Sequence, residues 1–516
     1  EQHQILNFFV NNQDKRYHFI DATVGIGKSY AAVMIGEWYR KHVNRHAKVD
    51  IVTNSKLLQK QYIDDFGFMA SLTGKNNYTC SRWPESSCEE GASLNKALKV
   101  KCPGCPFEQA KEAYIDSDYG VMNFHMFSIF SVFGRGALHK RESEILIVDE
   151  CHLLEEIFSD FLKITVSKNI LKSLGLDADE HQGLISLIEN HEQLTEYLSI
   201  VIDQLVSKIN DLKDKIRNAK STDKVKMAKL MNRIERYITK YNLILSEGDK
   251  VRDKWVLSFD EDRKTRETTI KLEPMWAGEY MWNHIWKRYK KIVFMSGTIL
   301  SKRLFSFLMG LNPNDSAYIS IPSPFPVKNR KIYYRPVGSL AYKQKHKTYP
   351  KVIQEIKKIL AENPNYKGII HTANYEIAEL IRKNIKNKRL IIPFTDNRDA
   401  ALERHKTDPG PTVLISPSMG YGIDLKNDLS RFQVIVKVPF PSLGDKKIHS
   451  RLNLRPEWYQ WRTILDVIQY TGRSVRNMED WATTYVLDEA FDSLIKRNRR
   501  FVPDYFMESI FRYQQR

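Results

Sequence analysis

Four short apolar runs, each followed by polar or small residues, punctuate the first part of the chain: Tyr17-His18-Phe19-Ile20, Val49-Asp50-Ile51-Val52, Ile145-Leu146-Ile147-Val148 and Lys291-Ile292-Val293-Phe294-Met295. Short apolar runs that do not alternate predict strands covered on both faces, as in a parallel α/β sheet. The first run meets a glycine-bearing turn and then Tyr30-Ala31-Ala32-Val33-Met34-Ile35, so the chain opens as strand, loop and helix. In such sheets ligands gather at the carboxyl ends of the strands. From about 160 to 270 the sheet signal disappears. There Leu194, Leu198, Val201, Leu205, Leu212 and Ile216 fall three, four or seven apart, and Met227, Met231, Ile234, Ile238 and Tyr241 repeat the pattern. Two long facing helices are predicted, forming an inserted arm whose apolar stripe is packing and not a site. After Pro322-Ser323-Pro324-Phe325-Pro326 the alternation resumes, with strands predicted at 368–370, 389–392, 412–415, 434–436 and 484–487. They form a second α/β lobe running to the C-terminus.

Length and charge add to this picture. At roughly 150 residues per domain, 516 residues suggest three or four domains. The excess of 80 Lys+Arg over 62 Asp+Glu, +18, favours a polyanionic partner through counterion release. No stretch approaches the ~18 uninterrupted apolar residues of a membrane span, and no secretory signal opens the chain. A cytoplasmic protein is expected, or a nuclear one if the source is eukaryotic. Because Glu1 stands first, without a methionine, a few native residues are expected to precede it.

Ala22-Thr23-Val24-Gly25-Ile26-Gly27-Lys28-Ser29 has the Gly-Lys-Ser ending of a phosphate-binding loop where a strand turns into a helix. Glycines let backbone N–H groups close around phosphate oxygens, Lys28 reaches the β- and γ-phosphates, and the Ser29 hydroxyl ligates Mg²⁺. Ala22 stands where the stricter signature has its first glycine. Asp149-Glu150-Cys151-His152 follows directly on a predicted strand, at the sheet edge beside that loop. Asp149 is expected to hold Mg²⁺ and Glu150 to polarise the attacking water. Far along the chain, Gln469-Tyr470-Thr471-Gly472-Arg473-Ser474-Val475-Arg476 puts two arginines one helical turn apart. Arg473 and Arg476 can reach across a cleft to a γ-phosphate; alone, they would read as a basic surface helix.

Four of the five cysteines, Cys80, Cys88, Cys102 and Cys105, cluster in a segment rich in Gly, Pro, Lys and Ser, which points to a metal held by all four thiolates. Only one C-x-x-C pair is present, so the spacing leans from zinc toward an iron–sulfur cluster without excluding either.

Taken in order, these residues resemble the XPD/DinG family of superfamily-2 helicases. Leu72 to Cys80 is similar to the family's stretch leading into its first cluster cysteine, Cys105-Pro106-Phe107 to the stretch leaving the last, and Asn123-Phe124-His125 to the segment before the acidic box. Asp149 to His152 is similar to that box with Cys151 replacing the usual alanine. Ser296-Gly297-Thr298 resembles motif III, Gly420 to Asp424 motif V, and Gln469 to Arg476 motif VI. Tyr421 stands where an acid is common, and the glutamine motif near Gln2 and Gln4 is incomplete.

The resemblance implies an α/β fold of two RecA-like P-loop lobes, with an iron–sulfur domain and a helical arch inserted in the first. The expected divisions are lobe 1 at 1–68, 113–160 and 271–325, a four-cysteine 4Fe-4S domain at 69–112, the arch at 161–270 and lobe 2 at 326–516. It also implies ATP-dependent 5′-to-3′ travel on single-stranded DNA and unwinding of duplex junctions by a monomer using ATP, Mg²⁺ and a 4Fe-4S cluster in repair, recombination or replication. ATP is expected between Ala22, Thr23, Gly25, Gly27, Lys28 and Ser29 on one wall and Asp424, Gln469, Arg473 and Arg476 on the other. Ser296 and Thr298 are expected to couple hydrolysis to lobe movement. DNA is expected at Thr53-Asn54 and 123–125, with Tyr78 or Phe124 as stacking surfaces. The alternatives are a translocase or RNA remodeller that does not unwind DNA, and a non-hydrolysing ATP-gated clamp.

Overall fold

In the computed structural model the chain is described except at residues 24, 134–139, 263, 394–397, 418–424, 426, 473, 474, 476 and 513–516. Two seven-stranded sheets, parallel throughout, carry the two lobes. In the first, the strands run Ser316–Ile321, Tyr17–Ala22, Lys291–Ser296, Ile145–Asp149, Val49–Thr53, Tyr119–Asn123 and Ala70–Ser71 across the sheet. The apolar runs at 17, 49, 145 and 291 are its centre, and Tyr17–Ala22, Val49–Thr53 and Ile145–Asp149 are buried along their whole length, as helices on both faces require. The second sheet runs Leu390–Ile391, Val413–Ser416, Gly368–His371, Phe432–Ile435, Thr483–Asp488, Ile332–Gly338 and Ile510–Arg512. The 316–321 and 332–338 strands escaped the apolar pattern because polar residues interrupt them, and in the second most side chains are only half-buried.

Inserted between the 145–149 and 291–296 strands are the two long helices, His191–Asn218 and Ser221–Glu247, packed on each other. Every residue of the first predicted stripe, from Leu194 to Ile216, is buried. Each such leucine, cut to alanine, costs roughly 2–5 kcal/mol. One expectation is corrected here: the sheet signal does not vanish between 160 and 270. Ile164–Val166, Trp255–Glu261 and Thr268–Pro274 form a three-stranded antiparallel sheet that roots the helical pair and runs past position 270. The 164–166 strand is only three residues long, and the exposed charged end of the 255–261 strand hides the alternation.

The cysteine segment folds as two short helices, Cys88–Leu98 and Pro106–Asp116, the first closed by a capping box between Ser87 and Glu90. The Cys88–Leu98 helix lies against the Ser221–Glu247 helix. Among the described residues no helix is long and apolar enough to cross a membrane.

Candidate nucleotide-binding cleft

The strand Tyr17–Ala22 ends beneath the N-terminus of the helix Lys28–His42, and the turn between them bends on two left-handed glycines, Gly25 (φ 86°) and Gly27 (φ 79°). A side chain at Gly27 would collide with the Gln2 amide, since a Cβ there would stand 2.1 Å from Gln2 Nε2. The helix Gln2–Asn11 therefore leans on the phosphate loop. Its contact with the loop was not legible from an incomplete glutamine motif. Lys28 Nζ donates to the carbonyls of Ala22 (3.2 Å) and Thr23 (3.4 Å) and lies 3.9 Å from the Glu150 carboxylate. A buried ammonium needs such acceptors.

Glu150 adopts a left-handed backbone (φ 54°), an uncommon strain for a residue with a side chain, and turns the chain from the Ile145–Asp149 strand into the helical turn Cys151–Leu153. Burial, followed by the charge of Glu150, pushes the Asp149 carboxyl up to about 6. Asp149 Oδ1 accepts from the Glu150 N–H at 3.0 Å, and Oδ2 from the Tyr62 hydroxyl at 3.0 Å. Burial and the same carboxylate hold the Tyr62 phenol well above its ordinary range, so it remains a donor. Cys151 is fully buried.

A chain of short contacts crosses from the acidic box to the second lobe. His152 Nδ1 and Ser296 Oγ are 2.7 Å apart, the Thr298 N–H donates to Ser296 Oγ at 3.2 Å, and Gln469 Nε2 donates to Thr298 Oγ1 at 2.7 Å. Asp21 fixes the turn that follows, its Oδ2 accepting from the Leu300 N–H (2.7 Å) and the Tyr318 hydroxyl (3.0 Å), while Leu300 is itself left-handed (φ 59°). The cleft these groups enclose has a volume of about 590 Å³. Thr23, Gly25, Gly27, Lys28, Ser29, Asp149 and Glu150 line one wall, and Arg330, Gln469, Thr471, Gly472, Val475 and Tyr505 the other. Asp424, Arg473 and Arg476 lie outside the described residues, although Gly472 and Val475, beside the two arginines, face the cleft. Tyr62 and Arg330 were missed in the sequence, where each is an ordinary residue far from any motif. The guanidinium of Arg330 donates to the carbonyls of Phe325 and Tyr505 and to the Ser509 hydroxyl.

The four cysteines are drawn into one small unit as two pairs, Cys80 with Cys102 (Sγ to Sγ 3.8 Å) and Cys88 with Cys105 (3.9 Å). Gly91 leaves room for this, since a Cβ there would stand 2.4 Å from Cys80 Sγ. Burial raises the Cys80 thiol and pushes Cys88 up to about 11. The donor chemistry fits a thiolate-bound metal, and Cys105 sits at the N-terminus of the helix Pro106–Asp116, where a thiolate is favoured. Among the described residues, no three or more His, Cys, Asp or Glu side chains converge on one point suited to a metal ion.

Between the cysteine unit, the helical pair and the first lobe lies a larger cavity of about 1460 Å³, whose cations include Lys56, Lys75, Lys163, Arg233, Arg236 and Lys240. Asn123 and His125 line it, and so do Phe107, Phe133 and Phe161. Phe124 does not: it is fully buried in the core and offers no stacking face, which corrects that expectation. Thr53 is likewise buried, Asn54 faces the nucleotide cleft, and the Tyr78 ring stands edge-on to Phe107.

Residues 356–508 match the family model of the helicase C-terminal domain. The chain is similar to the ATP-dependent DNA helicase DinG of Photobacterium profundum, 20% identical over an alignment that covers 79% of this chain and 70% of the relative. Among solved structures it is similar to an XPD helicase (TM-score 0.65, 14% identity, 99% of both chains) and to S. tokodaii Xpd4 (TM-score 0.62, 16% identity, 99% of both chains).

Proposed function

We propose that this chain, a superfamily-2 helicase of the XPD/DinG family, is an ATP-driven motor that moves 5′-to-3′ on single-stranded DNA and parts duplexes at a junction. The observation that carries this reading is the relay from His152 through Ser296 and Thr298 to Gln469, which joins the acidic box to the opposite lobe. Loss of the γ-phosphate would disturb the box and, through these contacts, the seat of the second lobe.

In this reading Gly25, Gly27 and Lys28 seat the phosphates, while Arg473 and Arg476 close on them from lobe 2. Ser29 and Asp149 would hold Mg²⁺, which neutralises charge on the phosphates and aligns them. Glu150 orients the attacking water and accepts its proton. Gln2 leans on the phosphate loop at Gly27, and the incomplete glutamine motif around it leaves adenine selectivity weak. The basic cavity, with phosphate-binding cations beside the partly exposed Phe133 and the exposed His125, suits one unpaired strand. The two thiol pairs would hold a 4Fe-4S cluster, acting as a structural brace for the unit that borders this strand path. The bacterial relative supports a cytoplasmic setting.

The test is phosphate release with and without single strands, followed by strand displacement on duplexes tailed at the 5′ or the 3′ end. Stimulated hydrolysis with displacement from the 5′ tail is expected. Hydrolysis without displacement would leave a translocase, and no hydrolysis a clamp. Cys102→Ser should lose metal and duplex separation while keeping some DNA-stimulated hydrolysis. A brown anaerobic preparation with stoichiometric iron supports the cluster, and a colourless one with zinc overturns it.

A further inference from the structure

The helix Lys56–Asp65 forms a wall of both cavities: Lys56 lines the basic cavity, while Leu57, Leu58, Gln61 and Asp65 line the nucleotide cleft. It is firmly seated. Ser55 caps it through the Leu58 N–H (3.2 Å), and the Gln59 amide donates to the carbonyls of Leu72 (3.0 Å) and Val121 (3.1 Å). Lys56 Nζ donates to Asn77 Oδ1 in the cysteine unit at 2.7 Å. One turn and a half further along, Tyr62 buries its ring in the core of the first lobe and turns its hydroxyl to Asp149 Oδ2 at 3.0 Å. The Ser29 hydroxyl is a further hydrogen-bonding neighbour of that phenol. The oxygen thus neighbours both side chains proposed to hold the divalent cation. With Asp149 Oδ1 taken by the Glu150 N–H, both carboxylate oxygens have a fixed donor.

We infer that Tyr62 is a positioning residue for the divalent cation of ATP hydrolysis: it sets the Asp149 carboxylate beside Ser29 and ties both to a helix that borders the basic cavity. The inference rests on the nucleotide-site reading given above. A group that orients a metal ligand through a hydrogen bond typically governs 10–100-fold in metal affinity. Tyr62→Phe removes the hydroxyl and keeps the ring in its apolar surroundings, so the fold is retained. Lys60→Ala, on the exposed side of the same helix where Lys60 pairs with Asp64, controls for the helix itself.

The experiment titrates Mn²⁺ into the full chain with saturating ADP, read by electron paramagnetic resonance, alongside the Mg²⁺ concentration that half-saturates ATP hydrolysis. Tyr62→Phe should weaken both roughly tenfold or more, with metal-free ADP binding unchanged and Lys60→Ala like the parent. Mn²⁺ affinity of Tyr62→Phe within about twofold of the parent overturns the role of Tyr62. Lys28→Ala run in parallel separates the two failures: if it hydrolyses ATP normally, the nucleotide site itself is misassigned.

Discussion

Two seams hold this molecule together, and they are built on opposite principles. Where lobe 2 meets the base of lobe 1, the contacts include buried ion pairs. Arg451 donates to Glu155 at 2.6 Å, with Trp276 and Trp458 within 4.5 and 5.0 Å of its guanidinium, and Lys447 donates to Ser159 (2.5 Å) and Glu273 (3.1 Å). Glu155 and Ser159 stand on the helix Leu154–Leu162 that directly follows the acidic box. Where the cysteine unit meets the long helical pair, the pairs are open to water: Lys96 with Glu235 (2.8 Å), Lys229 with Glu90 (3.2 Å) and Arg236 with Glu89 (3.8 Å). The cations of these three pairs are 62%, 59% and 67% exposed. Buried charges that lose a partner are left stranded, so the first seam keeps its register; exposed pairs exchange readily for water and salt, so they add little to the second, which rests on apolar packing of Leu94 and Ala97 in the core shared with the helical pair.

The largest expected effect comes from stranding a buried charge. Glu155→Ala should destabilise the folded chain by about 3–5 kcal/mol, because Arg451 stays buried without its partner; chemical denaturation measures it, and a loss below about 1 kcal/mol would show that water reaches this seam. In the cleft, Lys28→Ala should lower ATP turnover by about 10²–10³-fold while DNA binding persists, the scale expected when a donor to a reacting phosphate is lost. Steady-state phosphate release together with a strand-binding titration checks both halves of that statement.

Acid sharpens the same contrast. Burial drives His18 down to about 4, so it stays neutral in the fold, with Nε2 2.9 Å from the Asn12 carbonyl. A depressed folded-state value means that its contribution is complete above the unfolded value near 6.5 and is lost as pH falls toward 4. The loss amounts to roughly 3 kcal/mol, and His18→Phe should flatten it in melting curves recorded across that window. Burial alone would raise Glu155, but the charges of Arg451 and Lys447 overrule it and hold the carboxyl below its ordinary value. The first seam therefore weakens only at still lower pH, below about 4.5. At the other end of the scale, Lys96→Ala should cost no more than about 1 kcal/mol and lose even that in high salt. A larger, salt-resistant loss would mean that the charge pairs of the second seam are shielded from water like those of the first.

Much of the fold was written locally. Tyr17 to Ile20, Val49 to Val52, Ile145 to Val148 and the run from Lys291 are central strands because a strand covered on both faces has to be apolar throughout, which leaves a mark in the sequence. The stripe from Leu194 to Ile216 was legible for the same reason at helical period. Strands with half-exposed faces, such as Ile332–Gly338, left no such mark.

By itself the sequence determined the chemistry available: Gly25 and Gly27 where a loop must turn left-handed, Lys28 and Ser29 behind them, Asp149 and Glu150 at a strand end, and four thiols in one segment. Those features depend on neighbours along the chain, so local spacing encodes them. Only the tertiary structure decided that Tyr62 would meet Asp149, that Gln469 would reach Thr298 from the other lobe, and that Phe124 would be walled into the core. It also decided which charge pairs are dry. Such facts arise when segments far apart in sequence are packed against each other, and packing is set by the whole fold.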